Sequence, residues 1–279
     1  MNAWFPTSPC TPRECARHEG SVRGPLPAVA LLAAGCALTV LGVLCVPPVL
    51  LLAPSVRDRV IRRWAHAVVR SFGVRVRVTG DPGERSRPRA GELVVANHVS
   101  WLDVPLVASV LPARMVAKSE IRRWPLLGPA AALGGTLFIE RHRLLALPHA
   151  VAGLTGALAA GSRVAVFPQG STWCGRRGGG RFRPAAFQAA IDAGAPVRPV
   201  RIGYRTDRAD TAGAAAFVGD DTLVASLWRV VTAAGLTAEI RLLPPVPAGS
   251  HPNRRELARA AQSAVDRDSA NLPAVSVHH

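Results

Sequence analysis

Alternating apolar and polar residues begin the globular part of the chain, where Val74, Val76 and Val78 alternate with Arg75 and Arg77 and predict a half-buried strand. Further apolar runs predict strands at 92–96, 136–139, 163–167, 197–203 and 238–243. Segments with helical character lie between them, at 104–111, 144–160, 185–193 and 223–234. Strands that alternate with helices predict one α/β domain over residues 73–250, with a mixed, mostly parallel sheet flanked by helices.

An uncharged stretch precedes this domain. The 33 residues between Arg23 and Arg57 carry no charge, and residues 26–46 are predominantly apolar over about the length that crosses a bilayer. We therefore interpret residues 25–54 as a membrane anchor and residues 1–24 as a flexible leader. Pro47 and Pro48 leave two alternatives open, a single transmembrane span or a re-entrant hairpin. A signal peptide is disfavoured, because the run starts late and lacks an A-x-A cleavage site.

Residues 55–72 are predicted to form an amphipathic helix. Val60, Trp64 and Val68 recur every four positions, and arginines occupy the other faces. Such a helix can lie on anionic lipid headgroups or pack on the domain, and the upstream anchor favours the headgroups. The arginines that follow the anchor predict a cell-membrane protein with its domain on the cytoplasmic face; they are Arg57, Arg59, Arg62 and Arg63.

The charge balance is strongly basic, at +16 with 34 Lys and Arg against 18 Asp and Glu. This excludes an acidic disordered chain and suits a phosphate, an anionic lipid or a nucleic acid. Nucleic-acid binding ranks last, because the chain has one tyrosine and no recognisable nucleic-acid motif. The five cysteines form no C-x-x-C pair, so we expect a reducing compartment and no metal site.

Candidate chemistry lies where the strand at 92–96 runs into a turn and a helix. His98 follows the strand end and Asp103 falls on the first helical turn, an arrangement that can provide a general base with a carboxylate partner. The spacing alone is weak, because His251 and Glu256 repeat it in a helix-entry turn that we discard. Ser100 and Asp103 also match a capping box, which gives Asp103 a purely structural alternative.

Four sequence blocks, taken together, are specific where the spacing of His98 and Asp103 is not. They are Asn97-His98-Val99-Ser100-Trp101-Leu102-Asp103, Gly135-Thr136-Leu137-Phe138-Ile139-Glu140-Arg141, Phe167-Pro168-Gln169-Gly170-Ser171-Thr172 and Ala195-Pro196-Val197-Arg198-Pro199-Val200. In order and type the blocks resemble those of the membrane-bound glycerolipid acyltransferases, the family typified by 1-acylglycerol-3-phosphate acyltransferase. The segment that begins at Ala117 and Lys118 is similar to the family's linking segment.

The resemblance implies transfer of an acyl chain from acyl-CoA or acyl-carrier protein to a lysophospholipid, with no further cofactor. His98 would be the general base and Asp103 its orienting partner, while Arg141 would bind phosphate. The other expected substrate-binding residues are Asn97, Ser100, Lys118, Gly135, Phe138, Pro168, Gln169, Gly170, Ser171, Thr172 and Pro199.

Two departures from the family pattern affect the acceptor. Gln169 stands where the family has glutamate, and Trp173 stands where many members have arginine. They leave another lyso-lipid, such as a lyso-ornithine lipid, as an alternative acceptor. The alternative outside the enzymes is a basic protein that binds membranes and does not catalyse a reaction. Beyond the domain, residues 251–279 are expected to form a helix and a disordered tail.

Overall fold

A seven-stranded sheet forms the centre of the computed structural model, which describes residues 8–18, 20–80, 91–140, 143–176, 179–207, 211 and 213–270. The strands are β1 (Arg75–Thr79), β2 (Glu92–Ala96), β3 (Arg114–Lys118), β4 (Leu137–Ile139), β5 (Arg163–Val166), β6 (Val197–Arg205) and β7 (Thr237–Leu242). Their order is β1-β7-β6-β2-β5-β3-β4, and the β6–β7 pair is antiparallel while the other neighbours are parallel. This confirms the mixed, mostly parallel sheet.

Helices cover both faces of this sheet. They are α1 (Pro12–Cys15), α2 (Pro25–Leu44), α3 (Val46–Leu50), α4 (Pro54–Ser71), α5 (Asp103–Ala108), α6 (Leu127–Leu133), α7 (Leu147–Ala159), α8 (Ala185–Asp192), α9 (Leu223–Thr232) and α10 (Arg254–Ala270). Strand β2 shows the two faces: Val94 and Ala96 join the core with α4, α5 and α9, whereas Leu93 and Val95 join the core with α7, α8 and α10. A parallel strand buried on both sides is mostly apolar, and β2 is apolar from Leu93 to Ala96, as the sequence indicated.

Two elements of the domain were not predicted. Strand β3 has only three apolar residues between Arg114 and Lys118, too few to show a period. Helix α6 begins among glycine and proline residues, which argue against a helix in the sequence. Residues 271–279, which fall in the predicted C-terminal tail, and residues 81–90 lie outside the described residues.

A buried ionic cluster joins strands β2, β5 and β6 close to the residue at which each strand begins. Glu92 is fully buried and accepts hydrogen bonds from Arg163 Nε at 2.7 Å and from Arg198 Nε at 2.5 Å. Each residue comes from a different strand, so the cluster holds the three central strands in register. A charge this deep is tolerated because both carboxylate oxygens are paired.

The apolar N-terminal segment folds as a helical hairpin. Trp64 Nε1 of α4 donates to Leu38 O of α2 at 3.0 Å, and the Arg23 guanidinium, just before α2, donates to Gly73 O, just after α4, at 2.8 Å. The start of the segment and its return therefore meet at the domain. A single span would place them on opposite sides of a membrane, whereas a re-entrant hairpin allows this contact; how the segment meets a membrane stays a prediction. Among the described helices, α2 alone is long and apolar enough to cross a membrane.

The prediction for α4 was wrong over its second half. Trp64 packs on α2 and Val68 is buried in the core, so these residues of the apolar stripe face protein rather than headgroups. The reason is that α4 runs back along α2, so that α2 covers this part of the stripe. Val56 and Val60, in the first half, remain exposed.

The described part of the leader is packed rather than flexible. Cys10, Cys15 and Ala16 are buried in the core, and Val22 forms an isolated antiparallel bridge with Ala233. Arg23 adds hydrogen bonds to Val231 O at 2.9 Å and Ala233 O at 2.6 Å. The expectation failed because small side chains among prolines and charges give no periodic signal.

Candidate active site

The carboxyl ends of the parallel strands bring the first and third sequence blocks together. His98 follows β2 by two residues, and Gln169 follows β5, the neighbouring strand. The chain turns after His98 and enters α5 at Asp103. Sites in open α/β sheets form at this edge, because loops from adjacent strands meet there.

His98 and Asp103 are in direct contact. His98 Nδ1 lies 2.8 Å from Asp103 Oδ2, and the His98 side chain is 20% exposed while that of Asp103 is fully buried. Because a carboxylate accepts hydrogen bonds, Nδ1–H is the donor in this contact. In the neutral imidazole, Nε2 then has a free lone pair. The pair therefore has the geometry of a general base with an orienting carboxylate.

Three further donors surround the Asp103 carboxylate. Oδ2 also accepts from the backbone N–H of Val99 at 2.6 Å and of Ser100 at 2.9 Å, and Oδ1 accepts from the Tyr204 hydroxyl at 2.6 Å. Desolvation and the negative charge of Asp103 raise the pKa of Tyr204 well above its ordinary value, so the phenol stays protonated and donates. A buried carboxylate with four hydrogen-bond donors is held in one orientation.

Tyr204 is the site residue that sequence reasoning missed. It is the one tyrosine of the chain and lies near the end of β6, which pairs with β2. That strand position was the available signal, but the contact depends on the strand order. The capping alternative for Asp103 also holds locally, because the carboxylate accepts from Ser100 N; the Ser100 hydroxyl itself accepts from Leu102 N at 3.3 Å.

The backbone of His98 is held on one side by the third block and on the other by Trp173, the residue that follows this block. Gln169 Oε1 accepts from His98 N at 2.7 Å, and Trp173 N donates to His98 O at 2.8 Å. The Phe167 ring stacks on the imidazole, with centroids 4.1 Å apart and planes 13° from parallel. Gln169 needs only an acceptor oxygen for this contact, and an amide provides one as well as a carboxylate does. Glutamine at this position therefore makes the contact that a glutamate oxygen would make.

Two other residues expected to bind substrate are used within the protein. Asn97 bridges β2 to β6, since its Nδ2 donates to Ile202 O and its Oδ1 accepts from Ile202 N, both at 2.8 Å. The Thr172 hydroxyl donates to Phe217 O. These side chains position the loops around His98.

Two buried donors in the loop after β5 have no hydrogen-bond partner among the described residues, Ser171 Oγ and Trp173 Nε1. Buried polar atoms without partners are costly, so they mark places where a ligand's polar groups can bind. Gly170, with φ of 78°, makes the turn that carries this loop away from the sheet.

The remaining candidates are spread along the sheet. Lys118 ends β3 and is exposed, two strand spacings or about 10 Å from β2, and Phe138 lies in β4, one spacing further. Gly135, just before β4, accepts from Arg114 Nε at 2.7 Å, and Pro168 O accepts from Arg183 N at 2.9 Å. Pro199 is buried within the sheet opposite Val95. Arg141 lies outside the described residues.

The chain is similar to proteins of one enzymatic class. A family model described as Acyltransferase matches residues 75–203. The lyso-ornithine lipid O-acyltransferase of Pseudomonas aeruginosa is 38% identical over 213 residues, which cover 75% of this chain and 78% of the relative. The 1-acyl-sn-glycerol-3-phosphate acyltransferase of Neisseria meningitidis is 33% identical over 187 residues, covering 67% and 71%.

Among solved structures, the chain is similar to the crystal structure of the 1-acyl-sn-glycerophosphate acyltransferase PlsC from Thermotoga maritima. The TM-score is 0.69 at 18% identity, and the match covers 91% of this chain and 99% of the other. At that identity the likeness establishes the shared fold. Together, the comparisons confirm the resemblance carried by the four sequence blocks.

Proposed function

The chain belongs to the acyltransferase family, and from this premise we propose that it moves a fatty acyl chain from acyl-CoA or acyl-carrier protein to the free hydroxyl of a lysophospholipid. The first acceptor is 1-acylglycerol-3-phosphate, which would yield phosphatidic acid. The observation that carries the proposal is the contact of His98 Nδ1 with buried Asp103, because it leaves Nε2 free for an acceptor hydroxyl. No cofactor is needed beyond the acyl donor.

In the proposed reaction His98 Nε2 takes the hydroxyl proton as the hydroxyl oxygen attacks the thioester carbonyl carbon. The Asp103 carboxylate stabilises the imidazolium that forms. Collapse of the tetrahedral intermediate breaks the carbon–sulfur bond, and the imidazolium returns its proton to the departing thiolate. One ester bond forms as one thioester bond breaks, and no acyl-enzyme is required because the thioester is already activated.

Substrate contacts are assigned along the carboxyl edge of the sheet. Arg141, two residues beyond β4 in the sequence, and Lys118, the last residue of β3, are assigned as the cations for an anionic head group. Ser171 Oγ and Trp173 Nε1, which have no hydrogen-bond partner among the described residues, provide neutral donors in the loop after β5. Gly135, Phe138, Pro168 and Gly170 shape the loops and the surface that the acyl chains would follow.

The helical hairpin is proposed to insert into the cell membrane and bring the site to its substrate. Leu41 and Leu44 of α2 and Leu51 after α3 are exposed, as are Leu126 and Leu133 around α6, which packs on α2 and α3. An exposed apolar surface of this extent fits a bilayer better than water. The arginines at the start of α4 favour the cytoplasmic face for the domain.

A second acceptor, a lyso-ornithine lipid, is favoured by one observation at the site. Trp173 stands where many members have arginine, and its buried N–H has no partner among the described residues. A neutral donor suits a head group without phosphate. A named relative of this specificity, at 38% identity, supports the same alternative.

The test is acyl transfer by the full chain purified in detergent, with a radiolabelled acyl thioester and either lysophosphatidic acid or lyso-ornithine lipid. His98→Ala is compared with His149→Ala, a matched control because His149 is exposed on α7. We expect product from wild type and His149→Ala, and none from His98→Ala. Product with lyso-ornithine lipid alone would change the acceptor and keep the chemistry. Absence of His98-dependent product with either lipid would contradict both assignments.

A further inference from the structure

Three buried thiols meet between the leader and the loop after β5. Cys10 and Cys15 come from the leader, Cys174 follows Trp173, and the three Sγ atoms lie within 4.8 Å of one another. Cys10 Sγ and Cys174 Sγ are 3.4 Å apart. Exposure is 2% for Cys10, 2% for Cys15 and 0% for Cys174.

Ordered backbone holds the thiols in place. Cys15 ends α1, where its N–H donates to Thr11 O at 2.9 Å, and the Cys10 N–H donates to Ser8 Oγ at 3.2 Å. Gly213 lies so close that a Cβ there would stand 2.7 Å from Cys15 O and 2.4 Å from Arg17 O. The fold therefore presents a prearranged set of sulfur atoms rather than three independent side chains.

We propose that Cys10, Cys15 and Cys174 bind one zinc ion as thiolates. Zinc–sulfur bonds of about 2.3 Å in a tetrahedron place sulfur atoms about 3.8 Å apart. The observed spacing, from 3.4 Å to at most 4.8 Å, brackets that value. The three thiols release their protons to solvent on binding, and a water beside half-exposed Ser8 takes the fourth position.

A disulfide explains the arrangement less well. It would join two of the three sulfurs at about 2.05 Å and leave the third thiol buried without a role. A soft, closed-shell ion uses all three at once, and thiolate sulfur is its preferred ligand. The sequence expectation of no metal rested on cysteine spacing, which does not reveal ligands brought together from residues 10, 15 and 174.

The ion would act on the site through the backbone. Cys174 adjoins Trp173, whose N–H donates to His98 O, so zinc would tie the leader to the segment that holds His98. It lies outside the proposed reaction, which uses no metal. The inference is thus independent of the acceptor and of the donor.

Zinc content of the full chain, purified in detergent under reductant and reconstituted with Zn²⁺, tests the proposal. By elemental analysis we expect about one ion per chain. Cys10→Ser, Cys15→Ser and Cys174→Ser should each weaken binding at least about tenfold. Cys36→Ser and Cys45→Ser are matched controls in the hairpin and should retain the ion.

A measurement on wild type keeps the test valid where a variant fails to fold. Co²⁺ in place of zinc should show thiolate charge-transfer absorption. Reconstituted chain that holds no stoichiometric zinc, or zinc that persists in all three serine variants, would overturn the proposal.

Discussion

Tyr204 donates its phenolic hydrogen to Asp103 Oδ1 across 2.6 Å, on the carboxylate oxygen opposite the one that contacts His98. The tyrosine belongs to β6 and the aspartate to α5, so this bond joins the sheet to the helix that carries the dyad. It makes Tyr204 a positioning residue, because it acts on His98 only through Asp103.

Tyr204→Phe should therefore slow turnover without weakening substrate binding. Phenylalanine fills the same space but leaves Asp103 Oδ1 one donor short, a cost of about 1–3 kcal/mol for a buried acceptor. We expect kcat to fall by about tenfold with KM little changed, and the melting temperature to fall. Steady-state kinetics and thermal melting check both. A rise in KM at constant kcat would assign Tyr204 to substrate binding instead.

Asp103→Asn should nearly abolish turnover while membrane association persists. The amide carries no charge to stabilise an imidazolium, and it cannot accept on both sides as the carboxylate does. We expect a loss in kcat of about 10²–10⁴. Co-sedimentation with anionic vesicles should be unchanged, since Asp103 is fully buried and presents no surface to lipid. Unaltered turnover would remove the dyad from the mechanism.

The contact between Gln169 and His98 N should survive a change of the amide to a carboxylate, but not removal of the side chain. Gln169→Glu keeps an oxygen to accept from His98 N, so its kcat should stay within a few-fold of wild type. Gln169→Ala leaves that partly buried N–H without its acceptor and should lose roughly tenfold in kcat. Parallel kinetics of the two variants check this. Equal losses would show that the glutamine amide has a role that its oxygen alone does not explain.

Glu92→Ala should destabilise the fold, because it leaves Arg163 and Arg198 without their shared carboxylate. Breaking a buried ionic cluster in this way costs about 3–5 kcal/mol. Glu256→Ala is the control: its pair with Arg259 is exposed on α10 and contributes about 0–1 kcal/mol. In the same detergent, the melting temperature of Glu92→Ala should therefore fall much further than that of Glu256→Ala. Similar small shifts would show that the strands do not depend on the cluster.

Charges on the apolar hairpin should weaken membrane binding and leave the chemistry intact. Leu44→Asp combined with Leu51→Asp removes apolar surface worth about 1.5–3 kcal/mol per residue. Vesicle affinity should fall by about a hundredfold. Val224→Asp, exposed on α9, is the control and should bind vesicles normally. Activity on detergent-dispersed substrate should be retained in both proteins, and unchanged vesicle binding of the double variant would contradict insertion.

Local pattern was enough for much of this protein. Strand β2 was predicted at Glu92–Ala96 because a strand buried on both faces is mostly apolar, as residues Leu93 to Ala96 are. The His98–Asp103 contact was predictable because both residues lie in one strand–turn–helix segment, where short spacing determines the approach. Periodicity also located α4 and α9, whose apolar residues repeat at helical intervals.

Tertiary structure decided the rest, because those contacts join residues far apart in the chain. Tyr204 reaches Asp103 only since β6 pairs beside β2, and Gln169 reaches His98 N only since β5 is the other neighbour. Packing likewise decides that the leader is buried, that α4 returns along α2 and that Cys10 meets Cys174. Hydrophobic and backbone periodicity reports which face of an element is covered, but strand order and loop closure determine what covers it.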